Sequence, residues 1–440
     1  MFTYYLALAL ISLKRNVVLT ALMIAAIGVG IGASMTTLTV FRAMARNPIP
    51  DKAAQLFAVQ IDNWGPRMRG LGTGDPEGFQ EQLSYLDAKA LMDAHRGRRQ
   101  SAMYVAGMAL LPANPDLKPF QVLTRAAYTD MFTMFEVPFL YGAPWSAEDD
   151  RNHADVVIIS RGLNDKVFGG ANSVGKTLNF ENHDYRVVGV TDEWNPTPKY
   201  YDLNNEAFGK SEQAFMPFSR VIDLQKQSSG NFNCNGDIGG PGWEGRLKSE
   251  CVWLQYWVEL PTAADVQHYR DYLNGYAAEQ QHNGRFHWSP HTRLRDVTAW
   301  LDYRHVVSQD TRILVLVSFS FLLVCLLNAM GLMLAKILGR AADIGVRRAL
   351  GANRRAIFSQ CLIESGVVGL AGGVLGLGLT VFGLMGLRAL LSERIAQLTH
   401  LGVGDIALAV GLSVLATMLA GLYPTWRASQ VQPAWQLKNH

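Results

Sequence analysis

The string Gly170-Ala-Asn-Ser-Val-Gly-Lys-Thr177 has the spacing GxxxxGK[ST], at which backbone amides and a lysine can cradle the phosphates of a nucleotide. Such a loop works between a buried strand and a helix that opens at the lysine, so that the helix terminus faces the phosphate. Here the preceding Arg161–Phe168 has the pattern of a helix, and Leu178–Val190 after it reads as strand, turn, strand. The expectation is a turn into a hairpin, not a nucleotide site. His282, His287 and His291 are spaced five and four apart, but Pro290 breaks any helix there and no glutamate completes an HExxH pair. They read as surface histidines and not as a zinc site. No Ser/His/Asp or Cys/His set carries a local nucleophile signature. Catalytic, cofactor-binding and metal-binding residues are therefore all expected to be none. Cys234 and Cys251 close the Gly-rich stretch NCNGDIGGPGWEGRLKSEC and are either a disulfide or two free thiols; Cys325 and Cys361 fall in apolar runs. Glu364 lies about two turns into an apolar run, where a carboxylate is costly unless paired. It reads as a salt-bridge anchor for nearby arginines in preference to an ion-transport residue.

The elements that position these residues follow from where the apolar residues fall. With 440 residues, 18% charged residues and a net charge of +3, bulk composition suggests neither nucleic-acid binding nor a membrane. Four apolar blocks nevertheless reach the roughly 20 residues needed to cross a bilayer. They predict spans over 17–41, 312–338, 357–391 and 406–426. Residues 1–16 read as an amphipathic elbow helix, and the first span is too long for a signal-peptide core. Lys14, Arg15, the arginines between the second and third spans, Arg427 and Lys438 then fall on one side, expected to be the cytoplasm. Both termini would lie there, with a short external loop at 392–405 and a tail at 427–440. The expected fold class is a polytopic α-helical membrane protein of four transmembrane helices, with a large α+β domain inserted between the first and second.

That insert, residues 42–311, shows strand-like runs at Gln55–Ile61, Asp155–Ser160, Tyr185–Val190 and Val252–Leu260, and helical periodicity at Tyr85–His95 and Ala263–Gln281. Asp192–Glu250 is rich in Asn, Gly and Pro with few periodic segments, and reads as a surface insertion or a partner contact. From Asp296 a helical pattern runs without an evident breaker into the second span, predicting a continuous stalk. Small residues mark packing seams in the membrane: Gly28 and Gly32 in the first span, at a dimer interface or within one bundle, and Gly366, Gly369, Gly373 and Gly376 in the third.

Residues 339–356 form the connector between the second and third spans. Arg340, Arg347, Arg348, Arg354 and Arg355 stand there against one acid, Asp343. Ile344, Leu350 and Ile357 outline an apolar face for a helix lying along the membrane surface.

Asp343-Ile-Gly-Val-Arg-Arg-Ala-Leu-Gly-Ala352, Leu362-Ile-Glu-Ser365 and the closing Gly421-Leu-Tyr-Pro-Thr-Trp-Arg-Ala428 with Pro433-Ala434 resemble the permease domain of MacB/FtsX-type ABC transporters. In the insert, Phe135-Glu-Val-Pro-Phe-Leu-Tyr-Gly142, Phe168-Gly169, Val174-Gly-Lys-Thr177 and Tyr185-Arg-Val-Val-Gly-Val190 are similar to a MacB-type periplasmic core domain. Asp343 stands where the family usually has Glu, and the acid usual near Trp435 is missing. The resemblance implies a bacterial inner-membrane permease that dimerises, with itself or a paralogue, and pairs with ABC ATPase subunits, which bind the ATP and Mg; none is expected in this chain. It further implies a periplasmic adaptor, an outer-membrane channel and surrounding membrane lipids as partners, and no nucleic acid. The coupling residues would be Asp343, Ile344, Gly345, Arg347, Arg348, Leu350, Gly351 and Ala352. The implied work is mechanotransmission driving efflux of a periplasmic substrate; lipoprotein release of the Lol type, or regulation of cell-wall hydrolases or signalling, are the alternatives.

Overall fold

A computed structural model describes residues 8–9, 11–13, 15–66, 69, 78–234, 237–388 and 402–429. The chain divides into two units, one of residues 1–45 with 307–440 and one of residues 46–306. In the first unit, helices Val17–Met44, Gln309–Leu338, Arg354–Arg388 and Val403–Ser429 are each long and apolar enough to cross a membrane. The shortest has 27 residues, about 40 Å at 1.5 Å per residue, against a hydrocarbon core of about 30 Å. Each begins or ends up to three residues beyond the span read from the sequence. Val403–Asp405 are already helical, so the expected loop at 392–405 is shorter, and positions 392–401 lie outside the described residues. So do most of the elbow's first half (1–7) and the tail from 430; residues 8, 9, 11–13 and 15 are helical.

The glycines let these helices approach. A methyl group built on Gly28 would lie 2.8 Å from the Leu375 side chain, and one on Gly32 2.8 Å from Leu379. A methyl on Gly376 would meet Ile31, while those on Gly369 and Gly373 would meet Thr417 and Ser413 of the fourth helix. Gly366 is looser, its nearest neighbour Met418 at 3.9 Å. The seam at Gly28 and Gly32 is thus packing within one bundle, against the third helix. Ser413 Oγ donates to the Gly369 carbonyl at 2.5 Å, so a small residue also admits a hydrogen bond between helices.

In the second unit, eleven strands among the described residues form one mixed sheet. They are β1 (Leu56–Ile61), β2 (Leu83–Ser84), β3 (Arg99–Leu111), β4 (Phe120–Ala127), β5 (Phe139–Gly142), β6 (Val156–Ser160), β7 (Thr177–Phe180), β8 (His183–Thr191), β9 (Ala214–Pro217), β10 (Val252–Glu259) and β11 (Thr292–Asp296). The main path runs β11-β1-β10-β3-β4-β9-β6-β8-β5, with β4/β9 and β6/β8 parallel and the other pairs antiparallel. Side chains alternate across a strand, and here both faces are covered. Tyr104, Tyr256 and Ala126 join a core on one face, while Met103, Trp257 and Ala127 join a second core on the other. That is why β10, VWLQYWVE, is buried along its whole length. Helices cap as their sequences ask: Ser160 opens Arg161–Phe168, left-handed Gly169 closes it, and Thr262 with Asp265 forms a capping box for Ala263–His282.

Asp192–Glu250, few of whose segments are periodic in sequence, supplies β9, helices Phe218–Asp223 and Gly242–Lys248, and a short 3-10 turn at Tyr200–Asp202. Buried charge organises its first half. Arg125, fully buried on β4, donates from Nε to Glu212 at 2.9 Å and also pairs with Asp202, while Lys199 lies 2.8 Å from Glu212 and Tyr201 donates to it at 2.8 Å. Burial would raise the Glu212 carboxyl, but Arg125 and Lys199 beside it hold it down at about 2. The second half is tied by a disulfide between Cys234 and Cys251. The expected continuous stalk is absent. The helix Val297–Tyr303 ends at Arg304, His305 is left-handed at φ 47°, and a new helix starts at Gln309. The cause is local: Ser308 accepts the Thr311 amide as an N-cap with Asp310 in the first turn, a start signal inside what looked like one helical run.

One buried acid makes this unit pH-sensitive. Asp150 accepts hydrogen bonds from the Thr129 amide (2.9 Å) and Trp145 Nε1 (2.7 Å), yet burial pushes its carboxyl up to about 7. Folding then takes up a proton, so the stability it contributes is full below about pH 3.8 and lost as pH rises through 7. The slope is at most about 1.4 kcal/mol per pH unit. Thermal unfolding of the intact chain in lipid nanodiscs between pH 5 and 8 is expected to show a falling Tm, with a flatter profile in Asp150→Asn. Parallel profiles for the two proteins would mean the carboxyl is not perturbed.

Candidate functional site

The connector is a helix, Ala341–Ala349, bounded at its end by Gly351, whose φ of 99° a side chain would strain. The Gly351 and Ala352 amides donate back to the Arg348 and Arg347 carbonyls, closing the turn, and Asn353 Oδ1 then accepts the Ala356 amide to start the next helix. Asp343 falls in the connector's first turn and Arg347 and Arg348 in its last, each charge at the favourable end of the helix dipole.

At the foot of the bundle a buried charge cluster holds this helix. Glu364, on the third membrane helix, lies 2.5 Å from Lys336 Nζ at the end of the second and 3.6 Å from Arg340 at the head of the connector. Ser12, on the elbow, donates to Glu364 at 2.5 Å and accepts from Arg340 at 2.5 Å. Lys336 is only 2% exposed, so its charge has left water and depends on Glu364. Arg15 pairs with Asp343 at 2.6 Å and Arg347 donates to Gln360 at 3.0 Å, tying the connector to the elbow and the third helix. Between them lies a cavity of about 30 Å³ lined by Lys336, Arg340, Ile344, Arg347 and Glu364, room for a water molecule.

The other side of the connector carries no such load. Gly345 and Ile357 are buried and Ile344 packs into the bundle, but Val346 is 54% and Leu350 83% exposed. The expected apolar face of Ile344, Leu350 and Ile357 is therefore wrong. Six residues advance a helix by 600°, so Leu350 points about 120° away from Ile344. Val346 and Leu350, four apart, make an outward apolar ridge, beside exposed Arg347, Arg354 and Arg355. Reading the sequence found Glu364 and the connector but missed Lys336, Ser12 and Arg15 as their partners. A lone lysine ending an apolar run was the available signal for Lys336; nothing marked Ser12.

The nucleotide-like string is a turn. Gly170 and Gly175 have φ of 82° and 85°, and Thr177 begins β7 with no helix following. The Gly175 amide donates to the Val187 carbonyl (2.8 Å) and the Lys176 amide to Ser173 (3.0 Å), so the groups that would cradle a phosphate are spent on the hairpin. Lys176 lies over the Phe168 ring at 4.9 Å. His282 and His287 are exposed, and His291 packs on Phe79 at 4.3 Å.

A family model described as the MacB-like periplasmic core domain matches residues 20–276, and one described as the FtsX-like permease C-terminal matches residues 315–433, which include the connector and its charge cluster. Similar curated proteins include the macrolide export ATP-binding/permease protein MacB of Salmonella typhi, 24% identical over 97% of this chain and 59% of that protein. The proteins of that name from Bdellovibrio bacteriovorus and Neisseria meningitidis are 25% and 23% identical over 68% and 83% of this chain, and over 41% and 50% of their own lengths. The chain spans about half the length of these relatives. Among solved structures, the periplasmic region of MacB from Actinobacillus actinomycetemcomitans aligns at 15% identity over 57% of this chain and 94% of that one, with a TM-score of 0.36. On the two family matches, the chain belongs to the MacB/FtsX-type permeases, a multi-pass membrane protein with a MacB-like periplasmic domain.

Proposed function

We propose that this chain is the permease subunit of an ABC exporter, in which ATP hydrolysis by a partner ATPase moves the connector helix and thereby the periplasmic domain. The observation that carries the reading is the connector's two-sidedness. One side is clamped by Arg15–Asp343, Arg340 and the Lys336–Glu364 pair, and the other offers Val346, Leu350 and a fringe of arginines. An apolar ridge rimmed by cations fits a groove on a partner with an acidic border. A clamp centred on the buried Lys336–Glu364 pair makes any displacement of the ridge a displacement of the second and third membrane helices and the elbow together. On this reading the connector, both termini and the ATPase are cytoplasmic, in a bacterial inner membrane. The permease works as a dimer, of identical or paralogous chains, and a periplasmic adaptor and outer-membrane channel complete an efflux path for a periplasmic substrate. Motion reaches the periplasmic domain through a broken link at residues 304–308, not through one rigid helix.

Two experiments test the reading. Val346→Asp with Leu350→Asp places charge on the ridge without touching the clamp. The variant is expected to insert and fold but to lose the ATPase subunit on purification from host membranes; undiminished capture would refute the docking assignment. Glu364→Ala leaves Lys336 buried and unpaired, and is expected to destabilise the bundle by about 3–5 kcal/mol. Lys336→Met with Glu364→Leu should recover most of that loss in a thermal melt, yet leave ATP hydrolysis no longer responsive to the periplasmic domain. Normal coupling in the double variant would reduce the cluster to a structural role.

A further inference from the structure

The periplasmic unit contains a cavity of about 490 Å³ beside the Cys234–Cys251 disulfide, at the end of the stretch whose sequence reads as a surface insertion or a partner contact. Its size falls in the range of small-molecule sites, roughly 300–1,000 Å³. Arg246 lines it, carried by the helix Gly242–Lys248 that the disulfide loop holds in place. The guanidinium lies 3.9 Å from the centre of the Phe232 ring, 4.8 Å from Trp253 and 5.8 Å from Trp243. Its Nε and one terminal nitrogen are buried with no hydrogen-bond partner.

Arg125 and Arg304 of the unit also hold buried nitrogens without a hydrogen-bond partner, but each has a carboxylate beside it and Arg246 has none. Arg125 faces Glu212 and Asp202, and Arg285 faces Asp87 and Glu250, so each is answered by two carboxylates. Arg246 has stacked rings above and beside it but no anion. Aromatic faces offset part of the cost of its desolvation, yet its donors remain unmet and burial holds the group below its ordinary range. Around it the cavity presents apolar surface at Phe232, 40% exposed, and Ile238, 64% exposed, with the Gln225 and Gln227 amides also on the lining. The composition is that of a pocket with one strong anion anchor, two neutral hydrogen-bonding groups and a broad aromatic and aliphatic wall.

We propose that this cavity binds a small amphiphilic anion, its carboxylate or phosphate on Arg246 and its apolar body against Phe232, Trp243 and Ile238. A charge-assisted contact on the cavity side of the guanidinium supplies the anion that Arg246 lacks, and the wall removes the body from water. Binding here is independent of the coupling reading, because it is scored with no nucleotide and no partner subunit.

The test is isothermal titration of the full chain in lipid nanodiscs with 1-naphthoate, 1-naphthyl phosphate and the uncharged 1-naphthamide, against empty nanodiscs. At least one anion is expected to bind about tenfold or more tightly than the amide, and whichever anion binds tighter names the headgroup. Arg246→Gln is expected to erase that preference and Arg246→Lys to keep part of it. Ile238→Asp, at an exposed position, leaves Arg246 intact and is expected to weaken the anions about tenfold, which keeps the test decisive if Arg246→Gln fails to fold. Amide and anions binding alike, no binding of any probe at about 1 mM, or unchanged anion affinity in Ile238→Asp would each overturn the proposal.

Discussion

A carboxylate among apolar helices must be answered by positive charge, and in the membrane unit answering Glu364 settles how four separate pieces of chain meet. Water cannot pay the desolvation of Glu364 or of Lys336, so the two ends of the second and third helices are drawn to 2.5 Å. Arg340 adds a second cation at 3.6 Å and Ser12 brings the elbow. The connector starts at Ala341, immediately after Arg340, so its position follows from the same cluster. The glycines contribute the complementary condition. Because Gly28, Gly32, Gly369, Gly373 and Gly376 keep the helices close, the ends cannot splay to hydrate the pair. Close packing and buried charge therefore reinforce each other, and neither would be tolerable alone.

The periplasmic unit solves a related problem differently. A sheet covered on both faces cannot dispose of polar side chains by turning them outward, so buried ions such as Arg125 and Arg285 are paired with carboxylates in place. Arg125, Glu212, Asp202 and Lys199 bind the irregular segment after β8 onto β4, and Arg285 with Asp87 and Glu250 draws the end of the long helix toward the helix Tyr85–Ala94. The latter joins the disulfide loop, since Glu250 precedes Cys251. A segment poor in apolar residues is thereby ordered by charge and one covalent tie, in place of a core of its own.

What the sequence revealed depended on the range of the interaction. Features set by neighbours along the chain were legible. The membrane helices, the strands β1, β6, β8 and β10, the hairpin at Lys176 and the helix ending at Gly169 all follow from local pattern and caps. Glu364 stood out because an acid in an apolar run needs a partner. The partners themselves lay far off in sequence: Ser12 is 352 residues from Glu364, and Glu212 is 87 from Arg125. No periodicity encodes such pairs. β3, β4 and β11 escaped notice because strands buried on both faces, or polar at an edge, lose the alternation that marks a half-exposed strand. The stalk and the connector face failed for a third reason. Helical periodicity alone does not fix phase or boundaries, and it hides both the N-cap at Ser308 and the roughly 120° divergence of Leu350 from Ile344.

The same bookkeeping of charge separates structural from functional surfaces in this molecule. Where an ion is paired with carboxylates inside the chain, as Arg125 and Lys336 are, the pairing explains the fold. The string at Gly170–Thr177 is the instructive opposite of a site. It has the residues of a phosphate cradle, but its amides already serve the hairpin and its lysine rests on Phe168, so the chemistry is spent. Val346 and Leu350 on the connector, and Arg246 beside the disulfide, are the converse. There apolar surface is left uncovered by the rest of the chain, or donors stay buried and unmet.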